Sequence, residues 1–165
     1  MKLTIVLAAL FLSTAAHAEV VLSGKADNQF TQDSHKNLES HQKILDEAKI
    51  DRASFSKKVQ HTCDVIAPQD AVNKFNKMTQ EILGHQMSLE DTGYSEKEYR
   101  KVMSFTCYKG ANWTINGMDK QMEPQLVKAV KDHEAAAHTT NDKAAAAGYK
   151  IAIEATQQGM AAARK

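Results

Sequence analysis

The chain has 165 residues, of which 42% are hydrophobic and 6% aromatic, with 21 Lys or Arg set against 20 Asp or Glu. Charge so balanced and so interspersed gives no basic stripe for nucleic acid, no acidic tail and no polybasic patch for a membrane surface. The length suits one domain that buries most of the surface it would expose unfolded.

The chain opens MKLTIVLAALFLSTAAHAEV. Lys2 supplies a positive start, residues 3–12 are almost wholly apolar, and Ala16-His17-Ala18 is a small-x-small cleavage site, which together make a secretory signal peptide over residues 1–18. The apolar run falls short of the ~20 residues that a bilayer crossing needs, and no later segment approaches that length. No cysteine directly follows the cleavage site to accept a lipid. The expected mature protein therefore begins at Glu19, is periplasmic or secreted, and keeps no membrane anchor. Loss of Lys2 leaves it 20 basic and 20 acidic residues.

Residues 19–33 carry a short apolar run, a glycine and polar residues without period, and read as an N-terminal arm. Helix signals follow. Residues 34–49 place Leu38, Leu45 and Ala48 on a shared face with Ile44 at its edge. Asp51 is a candidate cap for a helix over 52–66, in which Phe55, Val59, Cys63 and Ile66 recur at four-, four- and three-residue spacing. Pro68 is expected to separate that helix from the next. Residues 69–83 carry Val72, Phe75, Met78, Ile82 and Leu83 at helical spacing, and Gly84 stands where a left-handed cap is favoured.

Ser95 and Glu98 form a capping box for a helix from Glu96 to about Tyr108, with Gly110 expected to stop it. YKGANWTING then reads as a loop or tight hairpin around the single tryptophan. Beyond it Asp119 is a candidate cap for a helix with Pro124 in its first turns and Leu126, Val127 and Val130 inward. HTTND interrupts that helix. The last segment, NDKAAAAGYKIAIEATQQGMAAARK, has high helix propensity, although Gly148 and Gly159 each cost about 1 kcal/mol relative to alanine. Its stripe of Ala145, Tyr149, Ile153 and Met160 is thin for a core helix, so it is expected to pack late, fray or serve a partner. The sum is an all-α domain over residues 34–165, a bundle of about five or six helices with one disulfide.

The disulfide follows from compartment and periodicity. An exported chain with two cysteines favours their pairing. Cys63 falls on an apolar stripe, and Cys107 shares a face with Tyr99 and Met103. The rival reading joins His61 to Cys63 as a metal ligand or an activated thiolate. Structural zinc needs four ligands, however, and two residues along a helix carry His61 roughly 160° around it from Cys63, at about 100° per residue. A Cys63–Cys107 bridge closes a loop of about 45 residues, for which chain entropy gives at most roughly 4 kcal/mol.

No catalytic signature is present: no Gly-x-Ser-x-Gly elbow, phosphate-binding glycine loop, His-Glu-x-x-His or Cys-x-x-Cys occurs. The chain is read as a non-enzyme. Of the mature histidines, His35 and His41 are six apart and His133 and His138 five apart, neither matching the i, i+4 spacing of two ligands on one helical face; His61 and His85 stand alone. No cofactor is expected. The alternative is a haem- or metal-binding bundle acting as a ligand carrier, its haem held non-covalently between a histidine and one of Met78, Met87, Met103, Met118, Met122 or Met160. Asn112-Trp113-Thr114 fits the N-glycosylation rule but reads as accidental.

The functional expectation is an exported helical protein that binds another protein, as an inhibitor, adaptor or stress-protective factor. Trp113 and Tyr108 are the candidate partner-binding residues, since aromatic side chains anchor interfaces; the competing role for Trp113 is a core plug under its loop.

Overall fold

The computed structural model describes residues 50–92 and 95–164. The signal peptide at 1–18, the arm at 19–33 and the helix expected over 34–49 lie outside the described residues. Within them the fold is all-α, with four helices and no strand.

Asp51 caps only a 3-10 turn, Arg52–Ser54, accepting from the Ala53 amide at 3.1 Å. The helix itself starts one turn later. Ser56 takes the cap position, its hydroxyl accepting from the Val59 amide at 3.3 Å. Helix α1 begins as Lys57–His61, widens into a single π-turn at Thr62–Ile66, and continues as Ala67–Leu83. Pro68 therefore breaks nothing. In a regular α-helix its ring would press on the carbonyl four residues back, and the wider turn just before it takes up that misfit. Gly84, at φ 78°, ends the helix in the left-handed cap expected of it. The Thr79 hydroxyl then accepts from the Met87 amide at 3.4 Å, and Met87 and Leu89 are buried.

Helix α2, Glu96–Ile115, opens with the expected capping box: the Ser95 hydroxyl accepts from the Glu98 amide at 3.2 Å and Glu98 accepts from the Ser95 amide at 2.9 Å. Those hydrogen bonds from Ser95 hold the Glu98 carboxyl below the usual range. The far end departs from expectation. Gly110 does not stop the helix, and Trp113 is helical rather than in a hairpin; the chain turns only at Asn116 and Gly117, where φ is 71°.

Helix α3, Asp119–Ala136, has Met118 at its cap position; Asp119 instead faces Arg164 at 3.6 Å. Leu126 points into the core and Val130 is partly buried, but Val127, expected inward, is exposed. Adjacent residues differ by about 100° around a helix, so the narrow face that takes Leu126 excludes Val127. Thr139 and Asp142 form a second capping box at the HTTND interruption and open helix α4, Thr140–Ala163.

α4 is the hub rather than a fraying tail, packing against α1, α2 and α3. Its buried surface combines five alanines with Gly159, Tyr149, Ile151, Ile153, Thr156 and Met160. The stripe looks thin only if small residues are discounted. A Cβ placed on Gly159 would lie 1.8 Å from the Cys107 carbonyl oxygen, and one on Gly110 would lie 2.0 Å from that of Thr156. The two backbones touch through these glycines, and Ala111, Ala152 and Ala155 fill the core around the crossing. Toward α1, Lys74 bridges Asp70 and Glu154, both at 2.7 Å, while Gln158 donates to Asp70 at 2.7 Å. Burial alone would lower the Lys74 pKa, but its two carboxylate partners raise it overall.

The two helical glycines of α4 should respond in opposite directions to alanine. Gly148 has open space around a new methyl group, so Gly148→Ala should stabilise by about 0.5–1 kcal/mol through helix propensity. Gly159→Ala forces a methyl into backbone and should cost about 3 kcal/mol or more. Urea midpoints at unchanged m-value check both.

Candidate protein-interaction surface

Cys63 and Cys107 are bonded, 44 residues apart in sequence with their Cα atoms 5.3 Å apart. Both are fully buried, so the disulfide joins the π-turn of α1 to the middle of α2 from inside the core. His61 is exposed.

The π-turn alters what the following residues do. Phe55, Val59, Cys63, Ala67 and Ala71 are buried at a steady spacing of four. An α-helix repeats every 3.6 residues, so this row would drift off the core without the wider turn. With it, Ala67 takes the inward place expected of Ile66. Ile66 is displaced to the surface at 46% exposure, beside Val65 at 53%. Two consecutive large aliphatic residues are thus exposed to water, on backbone secured from behind by the disulfide.

Asp64, in the same turn, secures it from the side. Its carboxylate accepts from the Tyr108 hydroxyl at 3.0 Å and from the Ser104 hydroxyl at 3.3 Å, and Arg52 approaches it at 3.7 Å. The Arg52 guanidinium also lies 5.6 Å from the Tyr108 ring centroid, and Phe55 packs against that ring at 5.1 Å. Gln60 donates to the carbonyls of Arg52 and Phe55 at 3.0 and 2.8 Å, tying the entering chain to the same place. Burial first, and the bond to Asp64 second, push the Tyr108 phenol up to about 12. Lys57 and Lys58 are exposed at the start of the helix.

The partner-binding residues expected from sequence are core residues here. Tyr108 is 1% exposed and Trp113 2%, the latter packed in the cluster of Leu126, Tyr149, Ile153 and Met160. Both side chains point into the bundle, Trp113 because α2 continues through its position rather than ending at Gly110. Lys109 lies 5.6 Å from the Trp113 ring centroid, and burial holds its amine below the usual lysine range. Asn112 of the sequon is exposed on the helix, with Asn116 donating to its carbonyl at 2.7 Å.

Among the residues weighed as haem ligands, Met103 and Met160 fill the core and Met87 is buried within the loop after α1. His85 and His138 are exposed, while His133 stacks on Tyr149 at 4.1 Å and bonds the Ala129 carbonyl at 2.8 Å. Among the described residues no group of three or more His, Cys, Asp or Glu is placed to hold a metal ion, and no helix is long and apolar enough to cross a membrane.

What sequence reasoning missed is Arg52, Asp64, Val65 and Ser104. The one available signal was Pro68, whose presence inside a helical pattern requires either a break or a wider turn. Asp64→Ala should leave the Tyr108 hydroxyl buried without its acceptor, costing about 1–3 kcal/mol. It should also bring the phenol titration, followed by ultraviolet difference absorbance, part of the way back from about 12 toward 10, with burial keeping the rest. In the unaltered protein the folded-state phenol titrates above its unfolded value. Its contribution to stability is therefore full below pH 10 and is lost as pH rises from 10 through about 12.

No protein-family model, curated protein or solved structure matches this chain.

Proposed function

We propose that this is an exported, non-enzymatic helical protein, periplasmic or secreted, that binds another protein through the surface of its π-turn, in the manner of an inhibitor, adaptor or stress-protective factor. Export rests on the three-part signal over residues 1–18; the Cys63–Cys107 bridge and the lack of a membrane-crossing helix among the described residues are compatible with it.

The observation that carries the binding role is the exposed pair Val65 and Ile66. Single exposed aliphatic residues are ordinary on protein surfaces. This pair differs in being adjacent, turned outward by a departure from α-helical geometry, and fixed by a disulfide and by Asp64. A surface already held in place loses little conformational entropy when a partner covers it, which favours affinity. π-turns recur at functional positions for a related reason, since their irregular geometry is retained where it places particular side chains.

The test is affinity capture from the exported fraction, with the mature protein as bait and its mass measured. The mass should correspond to a chain beginning at Glu19. Val65→Asp with Ile66→Asp should leave the melting transition nearly unchanged, within about 0.5 kcal/mol as for most surface changes, and should abolish capture of a partner that the unaltered protein retains. Equal capture by both proteins would remove the π-turn surface from consideration. A chain that keeps Met1 and stays in the cytoplasm would remove the export reading.

A further inference from the structure

The core has two parts, and they are divided unequally among the helices. The larger cluster, around Cys63, Met103, Cys107, Tyr108 and Ala155, draws on α1, α2, α4 and the segments beside α1, and contains no residue of α3. The smaller is made by Trp113, Tyr149, Ile153 and Met160 from α2 and α4, closed over by α3 and the residue before it through Leu126 and the partly buried Met118, Met122, Ala129 and Val130. α3 buries one residue fully, against ten in α2 and eleven in α4.

His133 of α3 stacks on Tyr149 of α4 at 4.1 Å, and the other attachments of α3 are ion pairs near the surface. Arg164 reaches Asp119 at 3.6 Å and Glu123 at 2.5 Å, and Lys150 reaches Glu134 at 3.1 Å. Exposed ion pairs of this kind contribute little to stability. Pro124 inside the helix removes one backbone hydrogen bond. Both ends have a place to bend: Gly117 adopts φ 71° before the helix, and the chain is extended at Ala137 after it. The disulfide joins α1 to α2 and does not involve α3.

We infer that α3 is a detachable cover, opening as one unit about Gly117 and residues 137–138 while α1, α2 and α4 stay folded, and thereby exposing the apolar face of Trp113, Tyr149, Ile153 and Met160. Few buried apolar contacts and a largely exposed helix are the physical marks of a segment that opens below the global unfolding free energy. The opening leaves the larger cluster intact, because nothing in that cluster comes from α3. It also makes Trp113 accessible conditionally, although the closed structure hides it. This device is separate from the π-turn surface on α1, and neither reading depends on the other.

Native-state hydrogen exchange on the mature protein is the test, supported by acrylamide quenching of Trp113, the single tryptophan of the chain. The amides of α3 should exchange about 100-fold or more faster than those of residues 103–111 and 155–159. In rising urea, Trp113 quenching should increase before the remaining far-ultraviolet ellipticity is lost. Leu126→Ala should speed α3 exchange by a further factor of about 100, the size expected of a large core truncation, and leave the α2 and α4 amides near their original rates. Equal exchange across all helices in the unaltered protein, with quenching and ellipticity changing together, would overturn the inference. So would a Leu126→Ala protein in which every amide speeds up alike; if that variant does not fold, the unaltered protein alone decides.

Discussion

The backbone contact between α2 and α4, where Gly159 lies against the Cys107 carbonyl and Gly110 against that of Thr156, is the constraint on which the rest of the molecule depends. Glycine in a helix interior costs about 1 kcal/mol relative to alanine. Here the cost is offset by close approach, which brings many atom pairs to van der Waals distance at once. No larger residue satisfies the geometry, because the atoms a methyl group would meet are backbone and have little freedom to move. The same contact requires α2 to remain helical through Gly110, which turns Tyr108 and Trp113 inward and sets Cys107 facing α1. An alanine-rich helix of low aromatic content becomes the centre of the bundle because its small residues permit that approach.

α1 must meet this pair along a row of residues spaced by four. A regular α-helix cannot keep such a row on one face over several turns, and the π-turn at Thr62–Ile66 restores the phase. Three features then reinforce one another at that turn: Cys63 is bonded to Cys107 behind it, Asp64 takes hydrogen bonds from Ser104 and Tyr108 beside it, and Pro68 is accommodated just after it. The outward position of Val65 and Ile66 follows from the same geometry. The proposed binding surface is thus a consequence of how the core is kept in register.

Much of this was legible in the sequence, and the parts that were not share a cause. The helical class, the pairing of the cysteines, the Ser95–Glu98 box and the Gly84 cap are local signals, each decided within a few residues or by the count of cysteines. Gly110 was misread as a stop because glycine after a helical pattern commonly ends a helix; only the opposing carbonyl of Thr156 distinguishes a packing glycine from a terminating one, and that partner is far away in sequence. The placement of Trp113 in a loop followed from that error. Ile66 was assigned inward by α-helical periodicity that the π-turn overrides. The alanines of α4 carried too little weight because a hydrophobic stripe is judged by large side chains, whereas a close crossing is built from small ones.

The central claim is that α2 runs unbroken through Gly110 and touches α4 backbone to backbone. Nuclear Overhauser contacts from the Hα protons of Gly159 in the folded mature protein test it most directly. The account predicts strong cross-peaks to the amide of Ala111 and to protons of Cys107, together with an uninterrupted run of sequential amide contacts from Cys107 to Ile115. Missing cross-peaks at Gly159, or sequential contacts that stop at Gly110, would contradict it.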